Sequence, residues 1–534
     1  MTVAGGGARR PRPGRLARLA PWLLAPAAGA LWAACFAREP LGLAPWLALA
    51  PLFLLLAAAR GRRAAFGLGW LHGTAFWLVS IPWIAPTLET FGGLAPWLSV
   101  LLLGALALYL GLFNGLFGAL GLPLQRAGGW PALLGLPGLW VALEWLRGWL
   151  LTGFPWNLAG YAWTGVPGAL PLAAWVGVWG VGFLAVAANA AVALAAVRRS
   201  LLPAAPVLLS ALLLLPVAGR YAAAPGPAPG LGAEGPGALP AGAPVAIVQP
   251  AIYNQVVYDP AATREGYERL FRLSEEACDR PGALVVWPES AAWPFELGRD
   301  PAFARDVEAF VEETGCPLLL NSTRRVGGDG VLYYNSAYLV APRGGEPARY
   351  DKRHLVPFGE YVPLAGVFSF IDSLARSAGD YTAAEELRLL PWGRNELGTA
   401  ICFEVIFPGE VADLVRAGAT VLVTITNDAW YGDTWAPWQH FRAAQWRAAE
   451  TRRPMLRAAI TGVSGVIDAD GSVRQVLGVG ETGILRARID GRSDLSPFTR
   501  APWAVPAASG LLAIAAVAWS FRRRGRVPGG SHEP

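Results

Sequence analysis

A bilayer core of about 30 Å is crossed by an α-helix of about 20 apolar residues. This chain contains eight stretches that approach that length, at residues 19–37, 41–59, 64–86, 96–122, 130–150, 169–197, 200–219 and 501–521. In lipid, a backbone has no water to bond with, so such stretches must close their own hydrogen bonds as helices. The frequent Gly and Pro within them are compatible with that setting, because neighbouring helices can satisfy the freed groups. Trp22, Trp46, Trp83 and Trp97 lie near the ends of the stretches, as an interfacial aromatic belt requires. With 54% hydrophobic and 15% charged residues the chain is too apolar for a water-soluble globule. Most of its charged residues are instead gathered in one section, residues 244–495.

The arginines orient the spans. Arg9, Arg10, Arg12, Arg15 and Arg18 precede the first stretch, Arg60, Arg62 and Arg63 follow the second, Arg126 the fourth and Arg198 and Arg199 the sixth. Arg522, Arg523, Arg524 and Arg526 follow the last, whereas the alternate loops carry few. The positive-inside rule then places both termini in the cytoplasm. Parity agrees, since seven spans leave the polar section outside and the eighth returns the chain. The first stretch reads as a retained span rather than a cleaved signal, because six more follow it. The formal net charge of +6 is accounted for by these clusters; with no basic surface interleaved with aromatics, nucleic-acid binding is excluded.

Residues 221–243 form a Pro/Gly/Ala linker. Beyond it, short apolar runs alternate with amphipathic segments: strands are expected at 245–249, 283–290, 317–323, 333–340, 397–402 and 420–428, and helices at 261–279, 301–315 and 436–452. That alternation predicts an α/β domain with a buried sheet. The four cysteines, Cys35, Cys278, Cys316 and Cys402, show no metal-ligand spacing, so no zinc site is expected. Cys278 and Cys316 read first as buried free thiols, with a disulfide in an oxidising compartment as the alternative.

Three residues at expected strand ends carry chemistry: Glu289 in VVWPES, Lys352 in YDKRHLVPFGEY and Cys402 in TAICFE. A thiol nucleophile needs a base for its proton and a cation or donor for the oxyanion, and these residue types supply both. Lys352 is the only lysine in a chain that otherwise uses arginine, which points to a need for a compact ammonium. His354 and His440 read as structural. Glu144 and Arg147, three apart at a span end, are candidates for an ion pair or for lining a lipid access route.

WPES, YDKRHLVPFGEYVP, ICFE and TNDAWYG together resemble the nitrilase-type domain of apolipoprotein N-acyltransferases, and EWLRGWLLTGFPW with GYAW resembles that family's membrane section. The resemblance implies seven helices in residues 1–220, the linker, an αββα sandwich in 244–495, and an eighth helix with a basic tail in 496–534. It implies a Glu289–Lys352–Cys402 triad with no metal and no cofactor, Glu360 orienting Lys352, and the backbone N–H of Phe403 sharing the oxyanion. Glu404, Asn335 and Trp430 are implied as pocket residues. The implied reaction moves an acyl chain from a phospholipid to Cys402. From there it passes to the amine of a diacylglyceryl-cysteine opening an apolipoprotein, in the bacterial inner membrane; nothing in the sequence demands more than a monomer. The chain departs from the family in VAIVQPAI, in Phe403 for a usual Tyr and in Ile460 for a usual Asn. A tethered amidohydrolase discharging the same thioester to water is the alternative, and a transporter with an accessory domain a third.

Overall fold

The computed structural model describes residues 15–38, 42–200, 242–253, 259–327, 331–362 and 380–524, with single positions 202, 205 and 216. The expected seventh span at 200–219, nearly all of the linker and the tail beyond 524 lie outside the described residues.

The apolar stretches that are described are helical: α1 (Arg15–Ala34), α2 (Ala50–Ala58), α3 (Arg62–Ser80), α4 (Ile84–Thr90), α5 (Pro96–Ala127), α6 (Leu136–Arg147) and α7 (Ala169–Arg198). Among the described residues, however, only three helices are long and apolar enough to cross a bilayer, α5, α7 and the C-terminal helix, or four if the bent pair α3–α4 is one span. Eight full spans are therefore not confirmed among the described residues, and proline accompanies the breaks in the described stretches. Pro82 lies in the break where α3 and α4 bend by 50°. The stretch at 41–59 divides into a 3-10 turn at Ala44–Trp46 and the nine-residue α2, and that at 130–150 opens as a π turn at Pro131–Gly135 before the 12-residue α6. The start of α2 is satisfied from α7: the Asn189 amide oxygen accepts from the N–H groups of Leu49 and Ala50, at 2.9 and 3.0 Å. The α3–α5 contact depends on Gly69, where a Cβ would lie 2.2 Å from the Asn114 carbonyl oxygen.

The charged section folds into two six-stranded sheets. The first runs β12 (Gly483–Ile489), β1 (Ala243–Gln249), β2 (Leu284–Val286), β3 (Leu318–Val326), β4 (Leu332–Val340), β5 (Ala348–Asp351); the second runs β11 (Val473–Leu477), β10 (Ser464–Ile467), β9 (Met455–Ala459), β8 (Val421–Thr426), β7 (Asn395–Ile401), β6 (Leu390–Trp392). In each, three central parallel strands are flanked by antiparallel ones in the same pattern. Alternation along β1 sorts the layers. Val245 and Ile247 join a core that includes Leu397 and Val421 of the facing sheet, while Ala246 and Val248 pack with Leu270 and Phe303 of the covering helices α8 (Pro260–Ala277) and α9 (Pro301–Thr314). Helices α10 (Pro408–Arg416) and α11 (Ala436–Thr451) cover the second sheet, completing four layers, and α11 also lies along α7. Helix α12 (Ala504–Arg524) then returns to pack on α6.

Cys278 and Cys316 form a disulfide with Cα atoms 6.1 Å apart, correcting the free-thiol reading. Cys278 ends α8 and Cys316 leads into β3, so layer packing brings together residues that are far apart in the chain.

Candidate active site

The site lies beyond the carboxyl ends of the central strands, where α/β sheets leave side chains free of the ladder. Glu289 follows β2, Cys402 follows β7, Asn427 follows β8 and Lys352 follows β5, while Asn335 projects from β4. All of these are buried.

The first sheet gathers Glu289, Asn335, Lys352 and Glu360 into one network. The Asn335 amide donates at 2.8 Å to Glu289 Oε1 and at 2.8 Å to Glu360 Oε1. Its own oxygen accepts from Asn321 at 2.7 Å, which fixes the orientation of the amide. Lys352 Nζ lies 2.9 Å from Glu360 Oε2 and 3.7 Å from Glu289 Oε1. The second sheet reaches across to the same carboxylate, since Asn427 N–H donates to Glu289 Oε2 at 2.9 Å. Glu360 Oε2 also accepts from Val356 N–H at 2.8 Å, folding the loop after Lys352 back on itself.

Charge in this dry space is set by competition. Burial acts to pull the Lys352 ammonium down, but Glu360 and Glu289 outweigh it and hold its pKa above the ordinary lysine range. Burial raises Glu289 despite Lys352. Burial, then the Glu289 charge, pushes the Cys402 thiol well up, with Lys352 opposing. Burial thus acts against the charged form of both the Cys402 thiol and the Glu289 carboxyl, and Lys352 is the opposing charge for each. Cys402 opens a 3-10 turn with φ +54°, a left-handed conformation uncommon for a side chain with a Cβ.

Glu404 is committed elsewhere. Oε1 accepts from the Tyr350 hydroxyl at 2.8 Å and from Arg353 and His354 N–H at 2.7 and 3.1 Å, and Oε2 accepts from Ile401 N–H at 2.7 Å. It thus ties the Lys352 loop to the strand that carries Cys402. The Phe403 ring packs on Phe407 at 5.2 Å. Trp430 is 39% exposed and meets Phe91 edge to face at 4.3 Å, and its carbonyl accepts from Thr87 at 2.8 Å, so this loop packs on the N-terminal helical section at α4. Glu144 and Arg147 lie 3.9 Å apart; Arg147 donates to the carbonyls of Phe154 and Trp156 and Glu144 accepts from Ala159 N–H, so both hold the following loop in place. Among the described residues no group of three or more His, Cys, Asp or Glu is placed to hold a metal.

Sequence reasoning missed Asn321, Asn427, Asp428 and Arg457. Asn427 and Asp428 stand inside the TND run that marked the site, but nothing in the run shows which of its atoms bonds Glu289.

Residues 28–191 match the family model described as the apolipoprotein N-acyltransferase N-terminal domain, and residues 244–495 match that described as carbon-nitrogen hydrolase. The chain is 35% identical over 523 residues to the apolipoprotein N-acyltransferase of Geobacter metallireducens, covering 94% of this chain and 96% of that one. The protein of that name from Methylococcus capsulatus is 34% identical over 94% of this chain and 96% of its own. A solved amidase of the nitrilase superfamily from Nesterenkonia is 19% identical, covers 49% of this chain and 95% of its own, and superposes with a TM-score of 0.37.

Proposed function

Because this chain belongs to the apolipoprotein N-acyltransferase family, we propose that it carries an acyl chain from a phospholipid to the N-terminal amine of a diacylglyceryl-cysteine apolipoprotein through a thioester on Cys402. Family membership makes it an acyltransferase of lipoprotein N-acylation with a nitrilase-superfamily α/β domain.

Glu289 takes the thiol proton as Cys402 Sγ attacks the phospholipid ester carbonyl. The oxyanion of the tetrahedral intermediate is held by Lys352 and by the Phe403 N–H. Collapse breaks the ester C–O bond, Glu289 returns the proton to the departing glycerol oxygen, and the lysophospholipid leaves. The amine of the acceptor then attacks the thioester, Glu289 accepts its proton, and that proton passes to the departing thiolate. Two half-reactions sharing one enzyme form give ping-pong kinetics. Glu360 and Asn335 keep Lys352 charged and Glu289 aimed. Trp430, at the junction with the membrane section, borders the acyl path.

The observation that carries this reading is the single buried lysine shared between two carboxylates, Glu289 and Glu360, that hang from one asparagine, on the sheet facing the one whose β7 ends at Cys402, itself held at a left-handed φ. The proposed placement is a monomer with both termini cytoplasmic and the 244–495 domain outside the bacterial inner membrane. Residues 1–220 and 496–534 form the membrane section and 221–243 the linker. The Cys278–Cys316 disulfide supports that placement, since such bonds persist in oxidising compartments.

The test is the intact mass of the purified protein after incubation with phospholipid, beside Cys402→Ala. A fatty-acyl adduct on the wild type alone, cleared by a diacylated lipopeptide, is expected. If no phospholipid leaves an adduct while simple amides are hydrolysed, the site is that of a tethered amidohydrolase.

A further inference from the structure

His440 was expected to be structural, yet it touches the nucleophile's own peptide. It projects from α11, is fully buried, and its Nε2 lies 3.0 Å from the Cys402 carbonyl oxygen. A carbonyl only accepts, so the ring nitrogen facing it carries the hydrogen. On the other side of the ring, Nδ1 lies 3.0 Å from Asp428 Oδ1 and 3.1 Å from Arg457 Nη2. Arg457 in turn donates to Asp428 Oδ2 at 2.7 Å and to the Val463 carbonyl at 3.1 Å, and Thr426 Oγ1 donates to Asp428 Oδ1 at 2.8 Å. The ring is closed in by Trp156 of the membrane section, 5.6 Å away.

Two facts give this contact a purpose. Cys402 holds φ +54°, and a residue with a side chain keeps that strained conformation only where its surroundings hold it there. The Cys402 carbonyl also belongs to the same planar unit as the Phe403 N–H, and in a trans peptide the two point in opposite directions. A donor that pins the oxygen therefore aims the N–H away from α11. The neighbouring Gln439 fastens α11 to the membrane section: its Oε1 accepts from Trp156 Nε1 at 2.7 Å, and its Nε2 donates to the Ser80 and Phe36 carbonyls at 3.0 and 3.3 Å.

We propose that His440 is a positioning residue for the acyl transfer: by holding the Cys402 carbonyl it sets the peptide plane whose Phe403 N–H receives the oxyanion, with Asp428 and Arg457 fixing the ring. The inference rests on the thioester reading above. It requires a donor at the reach of Nε2, so glutamine should replace histidine while asparagine, one methylene shorter, should not.

The test uses the full-length protein in detergent micelles, with dioleoyl phosphatidylethanolamine as acyl donor and a diacylglyceryl-cysteine peptide as acceptor. His440→Gln, His440→Asn and Cys402→Ala are compared by single-turnover thioester formation, by discharge to the peptide, and by melting temperature. His440→Asn should slow both half-reactions about 100-fold, the scale of a misplaced catalytic group, with KM unchanged. His440→Gln should stay within about fivefold of wild type, although both amides disturb the buried cluster alike and melt at similar temperatures. Equal loss in the two variants, or loss that simply follows melting temperature, would overturn the positioning role. Wild-type rates in both would overturn it as well. If Cys402→Ala itself still transfers acyl groups, the thioester reading has failed instead.

Discussion

Asn335 is the point on which both carboxylates of the site hang. Its amide supplies one hydrogen to Glu289 and the other to Glu360, so truncation leaves two buried acceptors short of a donor together. Asn335→Ala should lower unfolding free energy by about 1–3 kcal/mol per orphaned group and slow transfer about 100-fold as Glu289 loses its aim. Denaturation and single-turnover rates measured on one preparation check this, and a variant as active as wild type would remove Asn335 from the machinery. Asp428 offers a test by pH. Burial alone would raise its carboxyl, but the Arg457 guanidinium, with His440 and Thr426 bonded to it, outweighs burial and holds it at about 2 against an ordinary 3.8. A depressed carboxylate stabilises the fold fully above its unfolded pKa and loses that contribution as pH falls through the folded one, here about 2 kcal/mol lost between roughly pH 4 and 2. The stability gap between wild type and Asp428→Asn should therefore be constant above about pH 5 and narrow below it. A gap that does not change with pH would show that Asp428 is not held as a carboxylate by Arg457.

Among the elements, α7 shows how far a sequence can be read. Its run AAWVGVWGVGF is apolar throughout, so it reads as one uninterrupted span, yet the helix breaks at Gly177 with φ +65° and ψ 178°. The N–H of Val178 freed there is taken by Glu450 Oε1 of α11 at 2.7 Å, and Glu450 Oε2 is paired with Arg447 Nε at 2.7 Å. Several glycines lie in the run, and only the partner from another domain decides which one breaks. Gly177→Ala adds a Cβ 2.5 Å from the Phe498 ring in a left-handed conformation, and the φ alone should cost about 1–3 kcal/mol. A melting temperature in detergent equal to wild type would mean that α7 is continuous there. The same logic sorts the strands. LGTAIC and TVLVTITN are legible because both faces are buried and the run is unbroken, whereas β5 spans four residues and β11 is largely exposed, so neither leaves a clear pattern. Glu289 and Cys402 stand out because each ends a recognisable run, and Lys352 because it is the only lysine in the chain. His440, Asp428 and Arg457 come from α11, the end of β8 and β9, and only packing reveals that they meet.

On the scale of the whole molecule, the two sheets repeat one pattern of strand directions although no stretch of sequence repeats. Their facing carboxyl ends make a single site from two halves: Glu289 and Lys352 come from one sheet, and Cys402 with the Asn427 N–H from the other. Such a site holds only while the sheets stay in register, and the disulfide secures one of the layers. It closes a loop with a sequence separation of 38 residues, for which the chain-entropy model gives about 4 kcal/mol. That stabilisation exists only where thiols are oxidised, so the side of the membrane on which the domain sits is also a statement about its stability. The side of the membrane and the redox state of the disulfide can be read in one experiment, with Cys35 and Cys402 replaced by Ala and a single cysteine introduced at exposed Glu346 or exposed Arg198. With a membrane-impermeant maleimide on intact cells, Glu346→Cys should label at once and Arg198→Cys only after permeabilisation. Cys278 and Cys316 should stay unlabelled until a reductant is added, after which the domain should melt at a lower temperature. Labelling of Arg198→Cys but not Glu346→Cys in intact cells would put the catalytic domain in the cytoplasm and deprive the disulfide of the compartment that maintains it.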